Sequence, residues 1–221
     1  MDDLLPTAIL IPSLNRPQHL ERVVREIHLA TGEDHTILFC VSDDESKEVL
    51  TGLGEWFLDD ADTDDRRYVT RMNKLIRHAG EAKTIFFGSD DVIHHPGWLT
   101  SALKVMAGGP EVVVVNDLRN QNGTQALVRT SYLDRAVFDA PGKAFHPGYH
   151  HNFADTEQFY TAARRGVYAR AMQSYVEHLH PIFTDSRHVS WDQTYEDAVE
   201  HFTEDQARYE SRTRLIDRAL S

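Results

Sequence analysis

Apolar positions along the chain follow two rhythms. Ala8-Ile9-Leu10-Ile11, closed by Pro12, is a short unbroken apolar run, which predicts a strand buried on both faces. Pro17 opens the other rhythm: Leu20, Val23, Val24 and Ile27 recur as one face of a helix. Thr36 to Val41 is a second buried strand, running into the acidic loop Ser42-Asp43-Asp44-Glu45. A helix from Tyr68 to Ala79 would bury Val69, Met72, Ile76 and Ala79. Thr84-Ile85-Phe86-Phe87 then reads as a strand entering Gly88-Ser89-Asp90-Asp91. Trp98, Leu99, Leu103 and Met106 fit a helix, and Val112 to Val115 a further central strand. This alternation predicts an α/β fold: a central, mostly parallel sheet flanked by helices.

Beyond Asn116 the pattern is less regular. Asn122-Gly123 signals a turn before a strand at Ala126-Leu127-Val128. The stretch from Asp139 to Asn152 is rich in Pro, Gly and His and is expected to be a mobile loop. Asp155 to Arg165 predicts a helix ended by Gly166. Tyr195, Ala198, Val199 and Phe202 predict a C-terminal helix, packed on the body or partly on a second copy of the protein.

Composition narrows the classes. Of 221 residues 41% are hydrophobic and 26% charged, too apolar for a disordered chain and normal for a globular enzyme. The net charge of −12 argues against a protein built to hold a nucleic-acid backbone, which needs clustered Lys and Arg. It suits carboxylates gathered around a divalent cation. The single cysteine, Cys40, excludes a disulfide framework and sits in an apolar strand, as an inert thiol would. No apolar run approaches the roughly 20 residues of a membrane helix, and Met1-Asp2-Asp3 lacks the basic start of a signal peptide. A cytoplasmic protein without a membrane segment is expected.

Ligands of an open parallel sheet bind at the carboxyl ends of its strands. Three of the predicted strands end in Pro12-Ser13-Leu14-Asn15-Arg16, Ser42-Asp43-Asp44 and Ser89-Asp90-Asp91. Asp and Ser also fill ordinary turns, but two double-aspartate loops at neighbouring strand ends ask for more. Paired carboxylates repel, and a cation resolves the repulsion; oxygen ligands favour Mg2+ or Mn2+. His94-His95, His146, His150 and His151 invite a zinc reading, yet no His-Glu-x-x-His is present and adjacent histidines project in different directions.

These residues carry a resemblance. Ile9 to Pro17 resembles the opening strand and loop of the family-2 GT-A glycosyltransferases, and Val41-Ser42-Asp43-Asp44-Glu45-Ser46 their nucleoside-binding loop. Arg71-Met72-Asn73-Lys74 is similar to their Arg-Asn segment. Ile85 to Val92 with Pro96-Gly97-Trp98-Leu99 resembles their Asp-x-Asp metal motif and the helix start after it. Phe153 to Glu157 with Arg164-Arg165-Gly166 matches the helix bearing the base, and Val176-Glu177-His178 the late strand ending in His. The chain departs from the pattern at Glu45 (usually Gly), at Gly88, where the first Asp of Asp-x-Asp would stand, and at Ala154, often acidic.

The resemblance implies a metal-dependent, inverting transfer of a sugar from a nucleoside-diphosphate sugar, with uracil as the base, to an acceptor hydroxyl. It places the donor around Pro12, Ser13, Asn15, Arg16, Asp43, Asp44, Arg71, Asn73, Ser89 and Asp90. Mn2+ or Mg2+ would sit on Asp90, Asp91 and His178, and Asp155 would be the base. One domain over residues 1–221 would hold a nucleotide-sugar half (about 1–115), an acceptor half (about 116–189) and the C-terminal helix (about 190–221). The alternatives are a non-catalytic nucleotide- or sugar-binding module and a sugar-phosphate nucleotidyltransferase. The latter would want a glycine-rich loop after the first strand, which Ser13-Leu14-Asn15-Arg16 does not supply.

Overall fold

A computed structural model describes residues 6–32, 34–60, 65, 67–119, 123, 125–182 and 191–221. Eight strands, β1 (Thr7–Pro12), β2 (His35–Val41), β3 (Trp56–Asp59), β4 (Thr84–Phe87), β5 (Val92–His94), β6 (Val112–Asp117), β7 (Ala126–Arg129) and β8 (Tyr168–His178), form one sheet in the order β3-β2-β1-β4-β7-β6-β8-β5. The first four strands in that order run parallel; β7 is antiparallel to both its neighbours, β6 and β8 are parallel, and β5 closes the edge antiparallel to β8. The helices are α1 (Pro17–Ala30), α2 (Asp44–Leu53), α3 (Tyr68–Leu75), α4 (Trp98–Ala107), α5 (Leu133–Ala136), α6 (Ala154–Arg164), α7 (Gln193–Glu200) and α8 (Phe202–Leu220).

Every residue of β1 is buried, and its alternate side chains feed different cores. Ile9 and Ile11 join Leu20, Val23 and Ile27 of α1 and Trp98 and Leu99 of α4 on one face. Ala8 and Leu10 join Met72 and Leu75 of α3 and Tyr132, Phe145 and Tyr149 on the other. Covering both faces leaves the strand ends as the place where polar side chains collect.

Several elements differ from the sequence reading. Asp44 and Glu45 belong to the first turn of α2, whose N-terminus Asp43 caps by accepting from the Ser46 N–H at 2.8 Å. β3 is a four-residue strand whose apolar run, Trp56-Phe57-Leu58, is short and exposed or half-buried, too brief a signal to predict a strand; β5 is only three residues long. The C-terminal helix is two helices, broken at His201. The 139–152 stretch is irregular but pinned: Asn73 Nδ2 donates to the Phe145 carbonyl at 2.8 Å and Gln158 Nε2 to that of Ala144 at 3.0 Å, while Phe145 and Tyr149 are buried. Gly123 takes the left-handed φ of 69° that a turn requires; its expected partner Asn122 lies outside the described residues.

Candidate functional site

β1 and β4 pair in parallel, with Leu10 opposite Phe87, so the loops leaving their carboxyl ends meet. Ser13 Oγ donates to Asp90 Oδ2 at 2.6 Å and Arg16 Nη1 to Asp90 Oδ1 at 2.8 Å. Between them Asn15 adopts a left-handed φ of 53°, a conformation Asn tolerates better than most residues; its side chain is exposed, outside the cavity lining. Asp91 uses both oxygens. Oδ1 accepts from the Ser89 hydroxyl, and Oδ2 accepts from Tyr195 OH at 2.7 Å and lies 3.2 Å from His178 Nε2. β8 delivers that imidazole, because Val92 and His178 are register partners.

The electrostatics follow from burial and neighbours. Burial works to raise both carboxyls. It prevails at Asp90, which shifts up despite Arg16. At Asp91 the His178 imidazole, with Arg16 and Ser89, overcomes burial and holds the carboxyl well below the usual range. Reciprocally, burial pulls His178 down but Asp91 outweighs it and raises the imidazole.

Arg71 is buried beside this pair. It donates to the Ser13 carbonyl at 3.1 Å and to Ser42 Oγ at 3.2 Å, and its Nε lies 3.5 Å from Asp60 Oδ2. Asp60, just beyond β3, also takes Lys74. Asp43 spends one oxygen on the α2 cap, while Oδ2 is buried and accepts nothing from the described residues. Asp44 is exposed and pairs with Lys47. Asn73 is saturated by the backbone of residues 144 and 145. Asp43, Asp44 and Asn73 therefore stand outside the lining of the cavity, whereas Pro12, Ser13, Arg16, Arg71, Ser89 and Asp90 form its near wall.

That cavity holds about 650 Å³ and also takes in Asp91, His178 and Asp155, a size normal for small-ligand sites. Asp155 lies in the first turn of α6, behind Phe153, whose left-handed φ of 62° is unusual for an aromatic residue. Its Oδ1 accepts from the Thr156 N–H at 2.7 Å. Burial pushes this carboxyl up, and the Thr156 contacts hold it partly back. Glu157 is otherwise engaged: Arg212 Nε at 2.6 Å and Tyr149 OH at 2.7 Å both donate to it in the interior.

The far wall is the part that sequence reasoning missed. Thr194, Tyr195 and Ala198 of α7 line the cavity, and Asp192, the cap of α7, clamps Arg16 through Nε at 2.7 Å and Nη2 at 2.8 Å. The Arg16 guanidinium also lies 4.4 Å above the Tyr195 ring. Asp205 in α8 accepts from three consecutive backbone N–H groups, His150 at 3.0 Å and His151 and Asn152 at 2.9 Å each. The signal for Asp192 was present, as an Asp ahead of Thr194 and the helical face; nothing local marks Asp205.

No protein-family model and no curated protein sequence matches the chain. Solved structures do. The chain is similar to the mannosyltransferase PcManGT from Pyrobaculum calidifontis, solved with GDP-Man and Mn2+ (TM-score 0.62, 15% identity, 78% of this chain and 56% of that one). It is similar also to glucosyl-3-phosphoglycerate synthase from Mycobacterium tuberculosis, solved with Mn2+, UDP-Glc and phosphoglyceric acid (TM-score 0.59, 11% identity, 79% and 71%). The chain thus spans little more than half of the mannosyltransferase. The likeness defines the fold, which is the GT-A fold of nucleotide-sugar glycosyltransferases. Among the described residues no helix is long and apolar enough to cross a membrane.

Proposed function

We propose that the protein transfers a sugar from a nucleoside-diphosphate sugar to an acceptor hydroxyl with inversion. The observation that carries this reading is the single cavity that joins Asp90, Asp91 and His178 at the strand ends to Asp155 on α6. A leaving nucleoside diphosphate gathers negative charge at the first group, and a base is needed where the acceptor approaches. The raised Asp155 carboxyl suits proton capture from a hydroxyl. With Asp155 as the base, transfer would proceed by direct displacement and so with inversion.

Two carboxylates and an imidazole suit Mn2+; Mg2+, which prefers oxygen alone, would use the carboxylates of Asp90 and Asp91. His178 Nε2 and Asp91 Oδ2, 3.2 Å apart, are spaced as neighbouring ligands of one ion. Such a cation would supply Lewis-acid stabilisation of the diphosphate. Arg16 meanwhile stands beside both carboxylates and adds its own positive charge. Gly88 explains the missing first Asp of the metal motif: a Cβ there would lie 3.2 Å from the Leu10 carbonyl oxygen and 3.3 Å from Ile11 Cγ1. A larger residue there would need the β1–β4 seam to give by a few tenths of an ångström.

For the nucleoside, uracil is the base we favour, with Asp43 Oδ2, which has no partner among the described residues, as acceptor for a base N–H. That oxygen is buried outside the cavity lining, so the loop after β2 has to shift for the base to reach it. A thermal-shift screen of nucleoside diphosphates and nucleotide sugars, with Mn2+ and with EDTA, tests the reading. UDP or a UDP-sugar should stabilise the protein more with Mn2+. Equal stabilisation in EDTA would reject a metal-bridged diphosphate, and no stabilisation by any nucleotide would reject the transferase.

A further inference from the structure

The α7–α8 junction carries a group of side chains that the transfer reaction does not use. His201 at the junction and Glu204 one turn on face His150, which comes from the loop ahead of α6. Glu204 Oε2 lies 3.6 Å from His150 Nε2 and 3.9 Å from His201 Nδ1. Both separations are too long for hydrogen bonds. They are near the spacing of two ligands on one tetrahedral ion, which bonds of about 2.1 Å place about 3.4 Å apart. The ligand atoms of the three residues all lie within 4.8 Å of one another.

We propose that His150, His201 and Glu204 bind a transition-metal dication of the zinc class. Two imidazoles and one carboxylate are a set that favours Zn2+, Co2+ or Ni2+ over Mg2+, which prefers oxygen alone. The three residues are also held ready, because Asp205, next to Glu204, receives the backbone N–H of His150 itself. Arg208 Nη2 donates to the other oxygen of Glu204 at 2.8 Å, which orients the carboxylate and leaves Oε2 facing the imidazoles. Its positive charge works against the ion. The imidazoles stack at 3.8 Å between centroids with planes 10° apart, so loading requires one ring to turn about its Cβ–Cγ bond. Three protein ligands leave one position for water or for an oxygen of a molecule in the cavity, which His150 and His201 both line. The ion would staple the loop that leads to Asp155 onto the C-terminal helices. The histidines of the 146–151 cluster could not suggest this from sequence, since the two remaining ligands lie some fifty residues downstream.

The site is separable from the acidic pair, and the experiment uses that. Protein stripped with EDTA is titrated with ZnCl2 by calorimetry, and with Co2+ while visible absorption is recorded, in wild type, His201→Ala, Glu204→Gln and His178→Ala. A Zn2+ equivalent assigned to this site should bind in wild type and persist in His178→Ala, which weakens any second equivalent on the acidic pair. Its affinity should be reduced roughly 100-fold or more in His201→Ala and Glu204→Gln. Co2+ should give imidazole-dependent bands lost in the same two variants. Glu204→Gln keeps the size of the side chain, so it decides the matter where His201→Ala fails to fold. Absence of tight Zn2+ binding in wild type overturns the proposal. So does binding that survives both junction variants but disappears in His178→Ala, which would put the ion on the acidic pair.

Discussion

On the strand side of the cavity, Ser13, Arg16, Asp90 and Asp91 leave the ends of two adjacent parallel strands, so the β1–β4 pairing brings their loops together, and His178, Tyr195 and Asp192 add contacts to Asp91 and Arg16. On the opposite side nothing comparable holds Asp155. Its position rests on a left-handed Phe153, on a loop whose N–H groups are gathered by Asp205, and on Arg212, which reaches from α8 to Glu157 and Asp139. The strand side is organised by backbone pairing within the first half of the chain. The α6 side is organised by buried charges contributed from the last twenty residues. Both sides carry buried carboxylates paired with a guanidinium, so removing one partner is costly on either; on the strand side the backbone pairing of β1 with β4 remains when a side chain is lost. The two walls are joined at Arg16, which bonds Asp90 on one side and Asp192 on the other.

The largest effect should come from separating binding from chemistry. Asp155→Asn keeps the shape and the Thr156 hydrogen bond but loses the base. Transfer is expected to fall about 10²- to 10⁴-fold, with donor affinity and melting temperature nearly unchanged. An active Asp155→Asn protein would place the base elsewhere. Glu157 is no substitute, because Arg212 and Tyr149 already occupy it.

Asp205→Asn comes next and addresses the α6 wall directly. The amide keeps one acceptor and turns an NH2 toward backbone donors, so buried N–H groups of the 150–152 loop lose their partner. Unfolding measurements should show a loss of about 3 kcal/mol, and turnover should drop while nucleotide affinity stays. Nucleotide affinity falling in parallel would mean the two walls are not independent.

The counterpart on the strand side is Asp43→Ala. It removes both the α2 cap and the buried oxygen that has no partner among the described residues. The cap is worth about 1 kcal/mol of stability, and a charge-assisted bond to a base N–H about 1–3 kcal/mol of binding, or roughly 10- to 100-fold in affinity. Asp43→Asn restores the cap but not the charge, so calorimetry on the two variants separates the contributions. Unchanged nucleotide affinity in a folded Asp43→Ala protein would move the nucleoside pocket away from β2.

The same contrast explains what could be read from sequence. β1, β2, β4 and β6 are runs of side chains buried on both faces, and the polar residues that matter follow them immediately, so local pattern and site coincide. Asp192, Tyr195, Asp205 and Arg212 act across separations of more than fifty residues. On α8 the side chains of Asp205 and Arg212 share the buried face with Ile216, where a pattern reading expects apolar residues. Pairing between buried charges is visible only once the fold has chosen the partners. Asn73 erred the other way: a motif position that carries a backbone contact and no place in the cavity lining.

The smallest expected effect is a slope, and it sets a buried histidine behind the strand side against a half-buried one in the loop of the α6 wall. His94, in β5, packs against Phe86 and Trp98 with neither ring nitrogen hydrogen-bonded among the described residues. Burial, with Arg22 and His95 adding to it, pulls its imidazole down to about 3. His151, in the pinned loop, is pulled down by burial to about 4. Both folded values lie below the unfolded value of about 6.5. The unfolded chain therefore binds protons that the folded chain refuses, and stability present above that value is lost as pH falls toward 4 and then 3. Each group contributes a slope of up to about 1.4 kcal/mol per pH unit inside its window. His94→Phe fills the same aromatic pocket without a titrating ring. Urea unfolding over a pH series should show the slope below pH 6.5 reduced by about one proton, with stability at neutral pH equal or slightly higher, since a buried polar ring has been removed. Hydrogen exchange sharpens the comparison. If the α6 wall opens on its own, amides of residues 150–152 should lose protection on mild acidification in wild type and in His94→Phe alike. If β5 and the α6 wall open only together, His94→Phe should protect those distant amides as much as it protects β5.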